Sequence, residues 1–230
     1  MKTSTKTILA VAVVVALAAG IVGSVLGLTH GRVDIIAAQA VTAFDELIAK
    51  LPANEAADGW ILAAPDGTVR FVFGEDTLPT DPRDAYLKIY LAPFTNAGLD
   101  VSRLPADYTV IEDTLILGAD LSPTNAARAR TATATLSMLI DASPNALGYH
   151  SAMAHFGIML GDWAMVEWAA NLDENDKDLV FALAPDPLIA AGVEPDSVAG
   201  WVYAQVPVHM DGKSVEVWKF LKPFDLSEGR

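Results

Sequence analysis

The chain has 230 residues, with 15 Lys+Arg against 29 Asp+Glu and a formal net charge of -14 at pH 7. That balance argues against a nucleic-acid binder, whose affinity rests on neutralising phosphates with Lys and Arg. Hydrophobic residues make up 52% of the chain and cysteine is absent. Disorder of the whole chain is thereby excluded, as are disulfides, thiol nucleophiles, Cys-ligated zinc and iron–sulfur clusters.

Residues 1–7 carry Lys2 and Lys6, and the run Ile8–Leu28 that follows holds no charged residue. At about 1.5 Å per residue, a helix over 8–28 rises close to the roughly 30 Å of a hydrocarbon core. Ala16-Leu17-Ala18 offers a small-x-small cleavage site. Apolar sequence continues well past it, beyond the roughly 7–15 residues of a signal-peptide core, so the run reads as an uncleaved single-span anchor. The basic residues before it place the N-terminus in the cytoplasm and the rest of the chain outside, in the periplasm or at the cell surface. Ala12, Ala16, Gly20 and Ser24 recur every fourth residue, as do Ala19, Gly23, Gly27 and Gly31. Small residues at that spacing let a second helix approach closely in lipid. Ala16, Gly20, Gly23, Ser24 and Gly27 are therefore the expected packing residues, against another transmembrane subunit or a second copy.

Residues 29–58 read as a juxtamembrane segment. Within it, Val33–Leu51 predicts an amphipathic helix, with Ile36, Ala40, Phe44, Leu47 and Leu51 on one stripe. Residues 59–230 read as one extracytoplasmic α+β domain on an antiparallel sheet, with no internal repeat. Asp66-Gly67 between Trp60–Ala64 and Thr68–Phe73 predicts a hairpin. Asp81-Pro82 predicts a helix through Tyr86, Ile89 and Tyr90. Tyr108–Leu117 predicts either a strand pair turning at Glu112-Asp113 or one long strand. Thr124–Ile140 predicts a helix after Ser122-Pro123, and Leu147–Leu160 is left open between helix and strand. Trp163–Leu172 and Leu179–Ala184 predict strands, Leu188–Ala191 a short helix, and Asp211-Gly212 a second hairpin joining Trp201–His209 to Ser214–Phe220.

Catalytic and metal-binding signatures are sparse. His150 and His155 are five apart, which in a single strand puts them on opposite faces and in a helix well apart; no metal site is expected from them. The loop Asp173–Asp178 opens like a calcium loop but lacks the glycine and the final glutamate. There is no GxSxG, no GxGxxG and no GxxxxGK[ST]. No catalytic residue, metal or cofactor is expected. The tryptophans read mainly as cross-strand core packing.

In outline, the order of span, amphipathic helix and Asp-Gly hairpin resembles extracytoplasmic PAS-like sensor domains, and that resemblance implies a ligand pocket. Two functions are therefore expected from the sequence. One is a non-catalytic accessory subunit of a larger, energy-converting membrane complex. The alternative is a membrane-tethered ligand-binding domain of PAS-like or solute-binding type.

Overall fold

The computed structural model describes residues 29–50, 60–73, 85–119, 136–137, 139–141, 147–150, 155–161, 163–170, 177–210 and 213–224. The segment 8–28 lies outside them, and with it Ala16, Gly20, Gly23, Ser24 and Gly27. Among the described residues no helix is long and apolar enough to cross a membrane. The acidic loop lies outside as well, apart from its last two residues.

Helix α1 (Thr29–Lys50) matches the apolar stripe and buries Ala40, Phe44, Leu47 and Ile48. Strands β1 (Trp60–Ala63) and β2 (Val69–Phe73) form the hairpin at Asp66-Gly67. Gly67 takes φ 70, and Asp66 Oδ1 accepts from the Thr68 backbone N–H at 3.1 Å. Both are what such a turn requires. The predicted helix after Asp81-Pro82 is instead β3 (Ala85–Tyr90). Its residues alternate between two apolar surroundings: Ala85, Leu87 and Ile89 face the main core, and Tyr86 joins Val72 and Ile116 on the other side. A period of two with both faces occupied outweighs a helix-opening proline. After α2 (Ala92–Asn96) and a 3-10 turn at Val101–Arg103, β4 (Thr109–Ile111) and β5 (Thr114–Ala119) turn at Glu112-Asp113, where Glu112 has φ 56.

Residues 136–137 and 139–141 are helical, and Leu136, Leu139 and Ile140 are buried. The ambiguous stretch resolves into a hairpin of β6 (Leu147–His150) and β7 (His155–Leu160). It is followed by β8 (Ala164–Ala169), β9 (Leu179–Leu183), α3 (Asp186–Ala190), a 3-10 turn at Pro195–Ser197, β10 (Val202–Met210) and β11 (Lys213–Phe224). Met210 pairs with Lys213, so the strands flanking Asp211-Gly212 are adjacent and antiparallel.

The architecture is mixed α+β with two antiparallel sheets, ordered β1-β2-β3-β5-β4 and β10-β11-β9-β8-β7-β6. One continuous apolar core lies between them. It joins Phe44 of α1, Phe71, Leu87 and Leu117 of the first sheet, and Phe156, Trp168, Phe181 and Phe220 of the second. Full burial of each such ring contributes about 1.5–3 kcal/mol before entropy is counted.

The two sheets are two copies of one unit. Reading β1 to β5 against β7 to β11 gives the same strand order and the same register: Leu62↔Phe71 answers Ile158↔Val166, Ala85↔Ala119 answers Leu179↔Phe224, and Val110↔Leu115 answers Tyr203↔Phe220. The link after the third strand repeats in sequence, Leu91-Ala-Pro…Ala97-Gly-Leu-Asp100 against Leu183-Ala-Pro…Ala191-Gly-Val-Glu194. The two links meet reciprocally. The Asp100 N–H donates to the Ala191 carbonyl and the Glu194 N–H to the Ala97 carbonyl, both at 2.8 Å. This self-complementary exchange is the pattern of a two-fold axis, here within one chain. The expectation of a domain without repeats is corrected on this point. The duplication escapes sequence inspection because outside the two links only apolar character is kept, not residue identity.

Lys222 departs from the shared pattern. Its counterpart is the core residue Leu117, as the pairs Leu117↔Leu87 and Lys222↔Phe181 show. The Lys222 side chain is 8% exposed; its Nζ donates to Asp66 Oδ2 at 2.5 Å and to the Gly200 carbonyl at 3.2 Å. Burial raises the Asp66 carboxyl pKa, but hydrogen bonds from Lys222 and Thr68 outweigh it and hold the pKa below the usual value. The turn of one sheet is thus tied to the core face of the other. Because Asp66 titrates lower in the fold than in the unfolded chain, its contribution is present above the ordinary carboxylate range and is lost as pH falls through the folded value. Asp66→Asn is expected to lower the unfolding free energy by about 1–2 kcal/mol at pH 7, discounted for a carboxylate that remains half exposed. The loss should vanish in strong acid, and adding Lys222→Leu should restore stability; urea unfolding of the three proteins at the two pH values measures both.

Candidate functional site

A duplicated unit provides its own control. What the second copy carries beyond the first is not required by the fold, and three such features stand out.

The first is the β6–β7 hairpin, since among the described residues β6 has no counterpart in the first sheet. Its sequence reads outward in mirror order, Gly148-Tyr149-His150 against His155-Phe156-Gly157. The register follows: Gly148↔Gly157, Tyr149↔Phe156, His150↔His155. The Tyr149 and Phe156 rings stack at 4.7 Å on the core side. The two histidines are therefore not on opposite faces of one strand. A reversal between them makes them direct cross-strand partners, which share a face of a sheet. The mirrored triplets are the sequence signal that a spacing count along a single element misses.

The second is Glu167 on β8, in the position that Val72 occupies in the first copy. It faces away from the main core, diagonal to His155 and opposite Gly157. His155 Nδ1 and Glu167 Oε1 are 2.7 Å apart, with side chains 16% and 3% exposed. Burial raises the Glu167 carboxyl pKa, and the hydrogen bond and charge of His155 oppose that shift. An ionised Glu167 would accept from His155 Nδ1–H, and a protonated Glu167 would donate to a bare Nδ1; the geometry fits both. A Cβ on Gly157 would lie 2.6 Å from the Met165 methyl, so Met165 folds over the glycine.

The third is the β10–β11 arm. The first copy's hairpin stops at Ile111↔Thr114, whereas the second continues for six further pairs from Gln205↔Trp218 to Met210↔Lys213. β9 pairs with β11 only over Phe220–Phe224, so this extension is a two-stranded ribbon beyond the sheet. Trp218 stacks on Tyr203 at 4.4 Å yet stays 45% exposed, and Val215 is 43% exposed. Burial, with the charges of Asp186 and Asp196, pushes the Tyr203 phenol pKa up. The tryptophans thus divide. Trp168 and Trp201 are buried core residues, Trp163 packs edge-on against Tyr108 at 5.4 Å, and Trp218 is a surface residue.

An open groove of about 520 Å³ also lies between α1 and the second sheet, bordered by Gln39, Thr42, Glu46, Tyr149 and Phe156. Among the described residues, no three His, Asp or Glu side chains form a metal-holding group.

The His155–Glu167 pair makes an asymmetric prediction. His155→Ala strands a buried acid and is expected to cost about 2–4 kcal/mol in chemical denaturation. Glu167→Val installs the residue of the first copy and should cost less than 1 kcal/mol or stabilise, as replacing buried polar groups with apolar ones of similar volume often does. Compared with family models, with curated proteins and with solved structures, the chain finds no match.

Proposed function

We propose that the chain is a non-catalytic accessory subunit of a membrane protein complex. In this reading residues 8–28 anchor it, the N-terminus is cytoplasmic, and the duplicated domain stands outside the cytoplasm. The observation that carries the reading is the β10–β11 arm. The arm packs Val206 and Val217 into a small apolar cluster with Met165, Val180, Ala182 and Leu221, and beyond that packing leaves Trp218 and Val215 exposed. Exposed aromatic side chains on a projecting element are the residue type that anchors protein–protein contacts. The acidic groups near Tyr203 favour a partner surface bearing Lys or Arg. The uncharged run and its four-residue spacing of glycines support the anchor and a packed helix.

The groove beside α1 favours the second reading, a tethered ligand-binding domain. The two are separated by purifying the tagged full chain from its native membranes in mild detergent. A subunit should recover a membrane partner in fixed ratio. Trp218→Ser with Val215→Ser should reduce that recovery at least tenfold without moving the unfolding midpoint. Gly23→Leu with Gly27→Leu should reduce it about five- to thirty-fold, for losses on the order of 1–2 kcal/mol in helix packing. Equal recovery in both variants would move the assignment to the tethered binding domain.

A further inference from the structure

We infer that the outer face of the first sheet rests on the phosphate headgroups of an anionic lipid bilayer, with Arg70 and Lys88 as the contacting cations; the inference rests on the anchored reading above. Arg70 of β2 and Lys88 of β3 are direct cross-strand partners. They share the face that carries Tyr86, away from the main core, and the Lys88 ammonium lies 5.8 Å from the centre of the Tyr86 ring. Arg70 is exposed. The register sets Thr109 in the same row, and Tyr90, Thr114 and Ile111 in the next. Among the described residues of this face there is no Asp or Glu; Glu112 and Asp113 stand in the turn past the strand ends. In a chain of net charge -14, two cations and no acid on one sheet face reverse the sign of the molecule locally.

The second copy shows that the fold does not require this. Arg70↔Lys88 answers Met165↔Ala182, and Thr109 answers Val202. Tyr90 answers Ala184: the Tyr90 N–H donates to the Thr68 carbonyl at 2.8 Å, and the Ala184 N–H to the Trp163 carbonyl at 2.7 Å. Met165 and Ala182 belong to an apolar cluster, so the same positions serve equally well without charge. Like charges set directly opposite on a sheet repel, and an anion above them relieves that repulsion. The rest of the face suits a headgroup layer. Tyr90 is 42% and Ile111 38% exposed, an aromatic and an aliphatic side chain of the kind that enters the membrane interface. The hydroxyls of Thr109, Thr114 and Tyr90 can donate to phosphate oxygens, and a guanidinium pairs with phosphate through two parallel N–H groups.

The chain has no cysteine, so Ile111→Cys gives a single site for a nitroxide label. The labelled full chain is placed in nanodiscs of pure phosphatidylcholine and of an equimolar mixture with phosphatidylglycerol. The label should be shielded from a water-soluble nickel relaxation agent in the anionic discs and open to it in the neutral ones. Molar KCl, where the Debye length is about 3 Å, should release it. Arg70→Met and Lys88→Ala, which install the residues of the second copy, should each lower the docked-to-free ratio about fivefold. Their unfolding midpoints should stay near that of the unaltered chain. Equal exposure of the label in both discs, or shielding unchanged in the double variant, would overturn the inference. Release by inorganic phosphate where chloride of equal ionic strength has no effect would also overturn it, making the face a site for a free phosphate. Loss of the chain from both kinds of disc would refute the anchor alone. The face must then still float the chain with preformed phosphatidylglycerol vesicles and not with neutral ones, and failure to do so would refute it too.

Discussion

The structure depends on one close approach. Gly98 and Gly192 meet back to back where the two copies join, each with a positive φ, 100 and 108. A Cβ on Gly98 would lie 2.7 Å from the Gly192 carbonyl oxygen, and one on Gly192 would lie 2.8 Å from the Gly98 oxygen. No side chain fits at either position without moving backbone, and the reciprocal Asp100–Ala191 and Glu194–Ala97 hydrogen bonds form only at this separation. The contact fixes the angle between the units and thereby closes both inner faces over one core. Arg103 reinforces it by donating to the Ala190 carbonyl at 2.5 Å.

With the common fold so defined, the differences between the copies carry the functional argument. The second copy gains an edge strand with its histidine, a buried glutamate in place of Val72, and a ribbon ending beyond the sheet. The desolvated acid and the exposed tryptophan are costly for folding alone, whereas the ribbon also buries Val206 against the second sheet. Both copies contribute to the one core, and these differences are concentrated in the second. Lys222 is the exception that serves the scaffold, since it exchanges a core leucine for a tie between the units.

Much of this was legible in the sequence where one local rule dominates. Asp66-Gly67 marks its hairpin because the turn demands a residue tolerant of positive φ, and Asp211-Gly212 lies between strands that pair as expected. The α1 stripe is readable from its period, as are β8 and β9 from their apolar runs. The strand β3 was misread because Pro82 opens helices as readily as it precedes strands, and its two-faced burial is set by partners distant in sequence. The histidine pair was missed because a spacing count assumes one continuous element, while the mirrored Gly-Tyr-His and His-Phe-Gly triplets encode a reversal. The repeat was hidden because the core constrains volume and polarity more than identity: Phe71 answers Val166, and Leu87 answers Phe181.

The central claim is that the two copies meet through Gly98 and Gly192 as equivalents, and a double-mutant cycle in urea tests it most directly. Gly98→Ala and Gly192→Ala should each cost about 2–4 kcal/mol, similar in size, from strain at positive φ and displacement of the opposite backbone. The double variant should cost clearly less than their sum, because the first alanine already opens the shared contact. Strictly additive losses, or a single variant with an unchanged midpoint, would contradict the account.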